Sequence, residues 1–271
     1  MTSYYDHFHN LHHQGNTFIL PNAWDCTSAK IFEKEDFTAV GTTSSGIAWS
    51  CGYKDGEHIP ADLMLRVLER MVKSIDIPLS ADIEGGYYSG TSKEFAQFFA
   101  SLMDIGVTGI NIEDSHTRTK TLDNIKEQQD KISLIKSLAK DKGMQLFINA
   151  RIDTLEYTEG DLQTKIQASV ARAKAYQEAG ADCIFVPFVE DMHTAQQLKE
   201  QIELPLNILA ERSLDIAGLK TLHINRISTG SKPMMASLNL LKKAAHELKT
   251  DNIWETLMQN NTGYYEINNH F

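Results

Sequence analysis

The sequence predicts a single (β/α)8 TIM barrel spanning residues 1–271, and three observations carry that expectation. Eight short apolar runs recur along the chain. Each is followed by a longer stretch with helical spacing. No linker interrupts the alternation. Eight strands alternating with helices in about 250 residues is the arithmetic of this fold.

The runs, in order, are Thr17–Pro21, Thr38–Thr43, Pro78–Glu84, Val107–Glu113, Gln145–Arg151, Asp182–Pro187, Pro205–Ala210 and Asn225–Gly230. Most are rich in Val, Ile or Phe and nearly continuous in apolarity. Strands buried on both faces of a parallel sheet read this way. Between them, Leu63, Val67, Leu68, Met71 and Val72 mark one amphipathic helix. Phe95, Phe98, Phe99, Leu102 and Met103 mark a second, and Ile166, Val170, Ala173 and Tyr176 a third. The phrases DIGVTG, KDKG and EAGADC each end a helix on Gly and turn into the next strand. A doubly wound open sheet is the rival architecture. It would usually carry a Gly-rich phosphate loop after its first strand, and PNAWDCTSAK holds none. Beyond about Ser231 the helical pattern continues through Leu238, Leu241, Ala245, Leu248, Trp254 and Leu257. That tail is longer than the last barrel helix requires and is suited to packing on a neighbouring subunit.

Composition excludes several classes. Apolar residues are 42% and charged residues 23%, ordinary for a soluble globular chain. The net charge of −10 argues against a nucleic-acid partner, which would need a basic face. It leaves room for a small anion held by local Arg or Lys. Three cysteines (Cys26, Cys51, Cys183) with no CxxC pair make neither a disulfide framework nor a zinc knuckle. No basic segment precedes an apolar run at the N-terminus, and no run approaches the ~18 residues of a membrane span. The expectation is a reduced, cytoplasmic protein without a membrane partner. His7, His9, His12 and His13 are expected on an exposed helix, with metal chelation as the lesser alternative.

In a barrel the active site lies at the C-terminal ends of the strands. There the polar residues collect. The third run ends in Ala81-Asp82-Ile83-Glu84, where Asp82 and Glu84 would share a face on a strand. The fourth ends in Glu113-Asp114 and the fifth in Asn149-Ala150-Arg151-Ile152-Asp153. Asp55 follows the second. Carboxylates gathered this closely repel unless a cation sits among them or some are protonated. All-oxygen ligands suit Mg²⁺ or Mn²⁺. Arg151 would offer a fork of donors to a carboxylate or phosphonate. The alternative is a set of internal salt bridges, such as Asp82 with Arg151. Thr42-Thr43-Ser44-Ser45-Gly46 could turn backbone N–H groups toward an anion, or be an ordinary barrel turn. No Gx4GK[ST] or GxSxG motif is present, and no Lys ends a strand to form a Schiff base. Lys54 and Lys120 lie in loops, and Cys51 reads as structural.

These segments together (PNAWD, TTSSGIAWSCGYKDG, PLSADIEGGY, GINIED, NARID, AGADCIFVP, RISTGS) resemble the isocitrate lyase/phosphoenolpyruvate mutase superfamily from about Leu20 to Ser231. The resemblance implies a tetrameric (β/α)8 barrel whose last helix is exchanged between subunits. It also implies Mg²⁺ and an α-keto acid or its enolate, with a C–C or P–C bond made or broken beside it. Carried over, Asp82 matches the direct metal ligand, and Glu84 and Glu113 match the carboxylates that hold metal waters. Arg151 matches the substrate-anchoring arginine. Ser45, Gly46 and Ile47 match the segment whose backbone binds the substrate's anionic end. Asp55 matches a loop aspartate that handles substrate.

The chain also departs from that pattern. The lyases of isocitrate and methylisocitrate carry a Lys-Lys/Arg-Cys-Gly-His signature after the fourth strand. Here the loop Ser115–Lys131 has no Cys and no Gly. Phe188 stands where the mutase has His. The expectation is therefore an Mg²⁺-dependent lyase or hydrolase acting on the C–C bond of a small 2-oxo or 2-hydroxy acid, as a homodimer or homotetramer. Catalytic roles fall to Asp55, Glu113 and Arg151, with Asp82 and Arg151 also holding substrate. The alternatives are a P–C bond enzyme, of the phosphonopyruvate hydrolase or phosphoenolpyruvate mutase type, and a non-catalytic barrel that binds a keto acid.

Overall fold

The computed structural model describes residues 3–87, 92–250, 253–259 and 261–271. Its strands are β1 (Phe18–Leu20), β2 (Asn22–Ala23), β3 (Val40–Thr42), β4 (Leu79–Asp82), β5 (Gly109–Glu113), β6 (Ser115–His116), β7 (Thr121–Leu122), β8 (Phe147–Arg151), β9 (Cys183–Val186), β10 (Leu206–Leu209) and β11 (Arg226–Ser228). Its helices are α1 (Tyr4–His13), α2 (Cys26–Lys34), α3 (Ser44–Ser50), α4 (Ala61–Ser74), α5 (Ser92–Asp104), α6 (Ile125–Asp141), α7 (Thr154–Tyr157), α8 (Leu162–Glu178), α9 (Met192–Gln201), α10 (Ile216–Thr221), α11 (Lys232–Thr250), α12 (Glu255–Gln259) and α13 (Tyr264–Asn268).

All strands but β6 and β7 form one parallel sheet in the order β1-β11-β10-β9-β8-β5-β4-β3-β2. Its two edges, β1 and β2, are consecutive in the chain, so the sheet curls into a nearly closed (β/α)8 barrel. All eight predicted runs hold strands; the first holds β1, and β2 follows just beyond its last residue, Pro21. A proline has no N–H to give the ladder. Its carbonyl still accepts from Gly41 N at 2.8 Å. Asn22 then spans the seam. Its Nδ2 donates to Thr42 O at 2.7 Å, and its Oδ1 accepts from Thr229 N at 2.8 Å and Gly230 N at 2.9 Å. A Cβ at Gly41 would lie 2.7 Å from Asn22 Nδ2, so the close approach needs glycine there.

Helices α2, α4, α5, α6, α8, α9, α10 and α11 follow the barrel strands in turn and bury their apolar faces on the sheet. Phe95, Phe98, Phe99, Leu102 and Met103 are all buried, as the spacing predicts. Gly106, Gly143 and Gly180, the glycines of the three repeated phrases, have φ of +90°, +65° and +102°. Each ends its helix in the left-handed region that glycine enters without strain. Helix α1 plugs the N-terminal end of the barrel with Phe8 and Leu11 against Phe147, Leu20 and Cys183. The histidines there are on a helix, but they are not all exposed. His12 is buried, stacks on Phe147 and donates from Nδ1 to Phe8 O at 2.8 Å.

The other end of the barrel carries the extra pieces: α3 after β3, the hairpin β6–β7 after β5, and α7 after β8. The segment Ser115–Lys131 expected as a loop is thus a short hairpin followed by the first turns of α6, capped by Asn124 through Glu127 N at 2.8 Å. Beyond the barrel, α11 to α13 leave Leu241, Trp254, Met258, Tyr264, Tyr265 and Phe271 exposed by 61–78%. No helix among the described residues is long and apolar enough to cross a membrane.

Candidate active site

Asp82 is the last residue of β4, and its carboxylate is held from one side. Ser44 donates to Asp82 Oδ2 twice, from its backbone N at 3.0 Å and its Oγ at 2.7 Å. Thr42 Oγ1 accepts from Asp82 N at 2.9 Å. Ser44 opens α3, so the negative charge sits where that helix directs its unpaired N–H groups. The next residues are those expected to bind an anion through their backbone. Ser45 and Gly46 lie in the first turn of α3, and Gly46 N makes only a long bond of 3.4 Å to Thr43 Oγ1. The Ile47 N–H donates to Thr43 O at 3.0 Å within that turn, and its side chain is fully buried. A Cβ at Gly46 would lie 2.7 Å from Thr43 Cγ2 and 2.9 Å from Trp24 Cβ, so only glycine lets this turn pack so closely.

Glu84 reaches the site differently from the way alternation along a strand suggests. The strand ends at Asp82, and Glu84 has a φ of +52°. Its Oε2 accepts from Glu57 N at 2.8 Å, and the Glu57 carboxylate in turn accepts from Tyr87 N at 2.7 Å. Burial, then the charge of Asp55, pushes the Glu84 carboxyl up to about 8. Asp55 is itself raised by burial and by Asp82, and its Oδ1 is buried without a protein partner among the described residues.

Glu113 ends β5 and Arg151 ends β8, directly opposite in register. Arg151 pairs through Nη1 with Glu113 Oε2 at 2.7 Å and through Nε with Asp153 Oδ1 at 2.8 Å. The internal salt bridge foreseen as an alternative therefore exists, but its partners are Glu113 and Asp153, not Asp82. Burial pushes Glu113 well above the usual carboxylate range against the pull of Arg151, and Asp153, Asp82 and Glu84 add to the rise. Arg151 is half-buried, and against that desolvation Asp153 and Glu113 hold it firmly as a cation.

Behind this pair stands a layer the sequence reading missed. Asp153 Oδ2 accepts from Ser115 Oγ at 2.5 Å, and Asp153 N donates to Asp114 Oδ1 at 3.0 Å. Asp114 Oδ2 accepts from Arg172 Nη1 at 2.9 Å and Tyr176 Oη at 2.7 Å. Burial pushes the Asp114 carboxyl up to about 6, with Arg172 opposing. The signal was available in part. Arg172 and Tyr176 are four apart on α8, the spacing of neighbours on one helix face.

Glu84 and Glu113 face a cleft of about 340 Å³ lined also by Glu57, Ser115, Thr117 and Arg118; Asp55, Asp82 and Arg151 are not among its lining residues. Hairpin β6–β7 covers it. Thr117 Oγ1 donates to Glu113 Oε1 at 3.3 Å, and Arg118 donates to Gly56 O and Glu57 O, tying the hairpin to the β3–α4 connection. A larger groove of about 400 Å³, lined by Lys126, Glu127, Asp130 and Lys131, holds none of the strand-end carboxylates. Asp55, Asp82, Glu84, Glu113 and Arg151 are thus electrostatic neighbours at one mouth. Among the described residues no three His, Cys, Asp or Glu side chains close into a ready cage for a metal ion.

The phosphoenolpyruvate phosphomutase family model matches residues 8–249. The chain belongs to that family. An uncharacterized protein of Mycobacterium tuberculosis (strain H37Rv) is 37% identical over 88% of this chain and 87% of its own length. The 2-methylisocitrate lyase of Bacillus subtilis is 28% identical over 69% of this chain and 60% of its own length. Among solved structures, a Burkholderia cenocepacia protein provisionally described as a phosphonomutase superposes with a TM-score of 0.86. It has 32% identity and covers 91% of this chain and all of its own. A phosphonopyruvate hydrolase solved with oxalate and Mg²⁺ reaches 0.85 at 20% identity, over 99% of this chain and 94% of its own, a likeness of fold. The family is one of lyases and mutases acting on pyruvate-like substrates.

The raised Glu84 carboxyl has a consequence for stability. Its folded-state value of about 8 lies above its ordinary 4.5, so the folded chain keeps a proton there that the unfolded chain has lost. Glu84 therefore makes folding less favourable as pH rises through that window. In the presence of EDTA, Glu84→Gln is expected to exceed the wild type by less than about 1 kcal/mol at pH 5 and by roughly 2–4 kcal/mol at pH 8.5. Urea titration at the two pH values is the check, and equal stabilities at both would contradict the assignment.

Proposed function

We propose that this chain is an enzyme, dependent on Mg²⁺ or Mn²⁺, that cleaves the C–C bond of a small 2-oxo or 2-hydroxy acid. The observation that carries the reading is the unbalanced charge of the mouth. Asp55, Asp82, Glu84 and Glu113 share it with Arg151, and burial first, then neighbouring carboxylates, raise Asp55, Glu84 and Glu113. A divalent cation would relieve that repulsion, and the donor set fits one. It is all oxygen, the donor type that suits Mg²⁺, and Asp55 Oδ1 is buried without a protein partner among the described residues. Asp82 would hold the cation directly, and Glu84 and Glu113 would hold its waters. When bound, it would supply Lewis-acid stabilisation to the oxygen on which enolate charge develops.

The chain's own groups do the rest. Arg151 anchors the substrate carboxylate, its plane fixed by Asp153. Ser45 N and Gly46 N, at the start of α3, face the anionic end. Asp55 is the group placed to move a proton, because its carboxyl is raised and one oxygen is unengaged by protein. Hairpin β6–β7 excludes water from the cleft. Cleavage of a P–C bond, as in phosphonopyruvate hydrolysis, is the second reading. It is favoured by the segment Ser115–Lys131, which lacks the Cys-bearing loop signature of the lyases of isocitrate and methylisocitrate.

We further propose that the exposed apolar face of α11 to α13 packs on a second copy of the chain, giving a dimer or tetramer. Light scattering should then return a multiple of 30.5 kDa, and a lone chain would contradict it. The three cysteines are free, which suits a reducing cytoplasm.

Thermal unfolding with oxalate, a mimic of a planar enolate, tests the main reading. At ~100 times its dissociation constant a ligand stabilises by about 2.7 kcal/mol, on the order of several degrees for a chain of this size. The shift should need both oxalate and Mg²⁺, vanish in EDTA and vanish in Asp82→Ala. An equal shift in EDTA would defeat the proposal. In a substrate panel, release of a keto acid favours C–C cleavage and release of phosphate favours P–C cleavage.

A further inference from the structure

One layer below the mouth, the barrel interior is polar. In barrels of this architecture that space is dominated by Val, Ile and Leu. Here it holds Asn111, Asn149, Asn207, Arg226 and Ser228, all buried. Arg226, on β11, reaches across the barrel. Its Nη2 donates to Asn111 Oδ1 on β5 at 3.3 Å and its Nε donates to Ser228 Oγ at 3.0 Å. Asn149 Nδ2 donates to the same Asn111 oxygen at 2.7 Å, and Ser228 Oγ donates to Asn207 Oδ1 at 3.1 Å. A guanidinium can only donate. It therefore sets the direction of every bond in the chain: Asn111 must present oxygen, Asn149 nitrogen, and Ser228 must pass its proton to Asn207.

Two features connect this network to the site above it. Asn111 and Asn149 stand two residues before Glu113 and Arg151 on the same strands, hence on the same face, and pair directly in register. Whatever fixes the two asparagines fixes the spacing of the ion pair over them. The second feature is charge. No carboxylate lies within ion-pair distance of Arg226 among the described residues. Its two close titratable neighbours carry no compensating charge: burial pushes the Cys183 thiol up to about 12 and pulls His12 well below its ordinary value. Burial lowers Arg226 itself to about 10, with Cys183 and Asp82 opposing, so it stays a cation at neutral pH. A buried charge without a nearby partner is expensive and is kept where a wider field compensates it. The mouth carboxylate whose field reaches it is Asp82.

We propose that Arg226 is a positioning residue for the mouth, a buried positive pole that braces Glu113 and Arg151 from below and tilts the site from cation binding toward anion binding. This rests on the reading of the mouth as a site for a divalent cation and a small acid. It makes a distinctive demand. Removing the positive charge should strengthen binding of the cation and weaken binding of the anion. Damage to the fold alone would weaken both.

The test is isothermal calorimetry on the full chain. Mn²⁺ is titrated first, then oxalate at saturating Mn²⁺, for wild type, Arg226→Met and Arg226→Lys. Arg226→Met is expected to bind Mn²⁺ about threefold tighter or more, and oxalate roughly tenfold more weakly. Arg226→Lys keeps the charge and should return the Mn²⁺ affinity to the wild-type value and recover part of the oxalate affinity. Should the Met variant not fold, Arg226→Gln keeps a donor for Asn111 and carries the same two expectations. Unchanged affinities in a folded neutral variant, or equal weakening of both ligands, would overturn the positioning role while leaving the proposed function standing. A wild type that binds no Mn²⁺ would overturn both.

Discussion

The constraint on which the rest depends is the excess of negative charge gathered at the C-terminal mouth of the barrel. Asp55, Asp82, Glu84, Glu113 and Asp153 stand there, and Arg151 is the guanidinium paired with two of them, Glu113 and Asp153. Like charges this close raise one another's proton affinity, and burial raises it further. The fold answers with fixed dipoles and donors. Helix α3 turns Ser44 toward Asp82, the Glu57 N–H meets Glu84, and Arg151 is shared between Glu113 and Asp153. These contacts orient the carboxylates without neutralising them all.

That arrangement explains which parts of the barrel are elaborated. The N-terminal end is closed by α1 and packed with Phe8, Leu11 and Phe147. At the other end α3, hairpin β6–β7 and α7 each deliver a residue that touches or supports a strand-end group: Ser44, Thr117 and, at the cap of α7, Asp153. Support continues outward. Arg172 and Tyr176 on α8 hold Asp114, which holds the backbone of Asp153, which holds Arg151. The outer helix ring thereby reaches the mouth through hydrogen bonds as well as apolar packing.

Much of this was legible in the sequence. The eight strands, the helix-ending glycines and the strand-end residues Asp82, Glu113 and Arg151 follow from apolar runs and their termini. The geometry of Glu84 was not legible, because two-residue alternation says nothing about a left-handed turn just past the strand. Nor was the bond by which the Ile47 N–H meets Thr43 O in the first turn of α3. The partner of Arg151 was misplaced, since which carboxylate it meets depends on strand register, and register puts Glu113 opposite. Arg226 passed unnoticed within a run read only for its apolarity. A sequence pattern shows that a residue faces inward; it does not show what lies across the barrel.

The most direct test of the charge account is a count of protons. Mn²⁺ can be titrated into metal-free protein near pH 7 in two buffers that differ in ionisation enthalpy. If carboxyls held protonated by burial and mutual repulsion receive the cation, binding should be one ion per chain with release of roughly one proton. Saturable binding with no proton release would mean that the mouth carboxylates are not the receiving groups, and the account would fail.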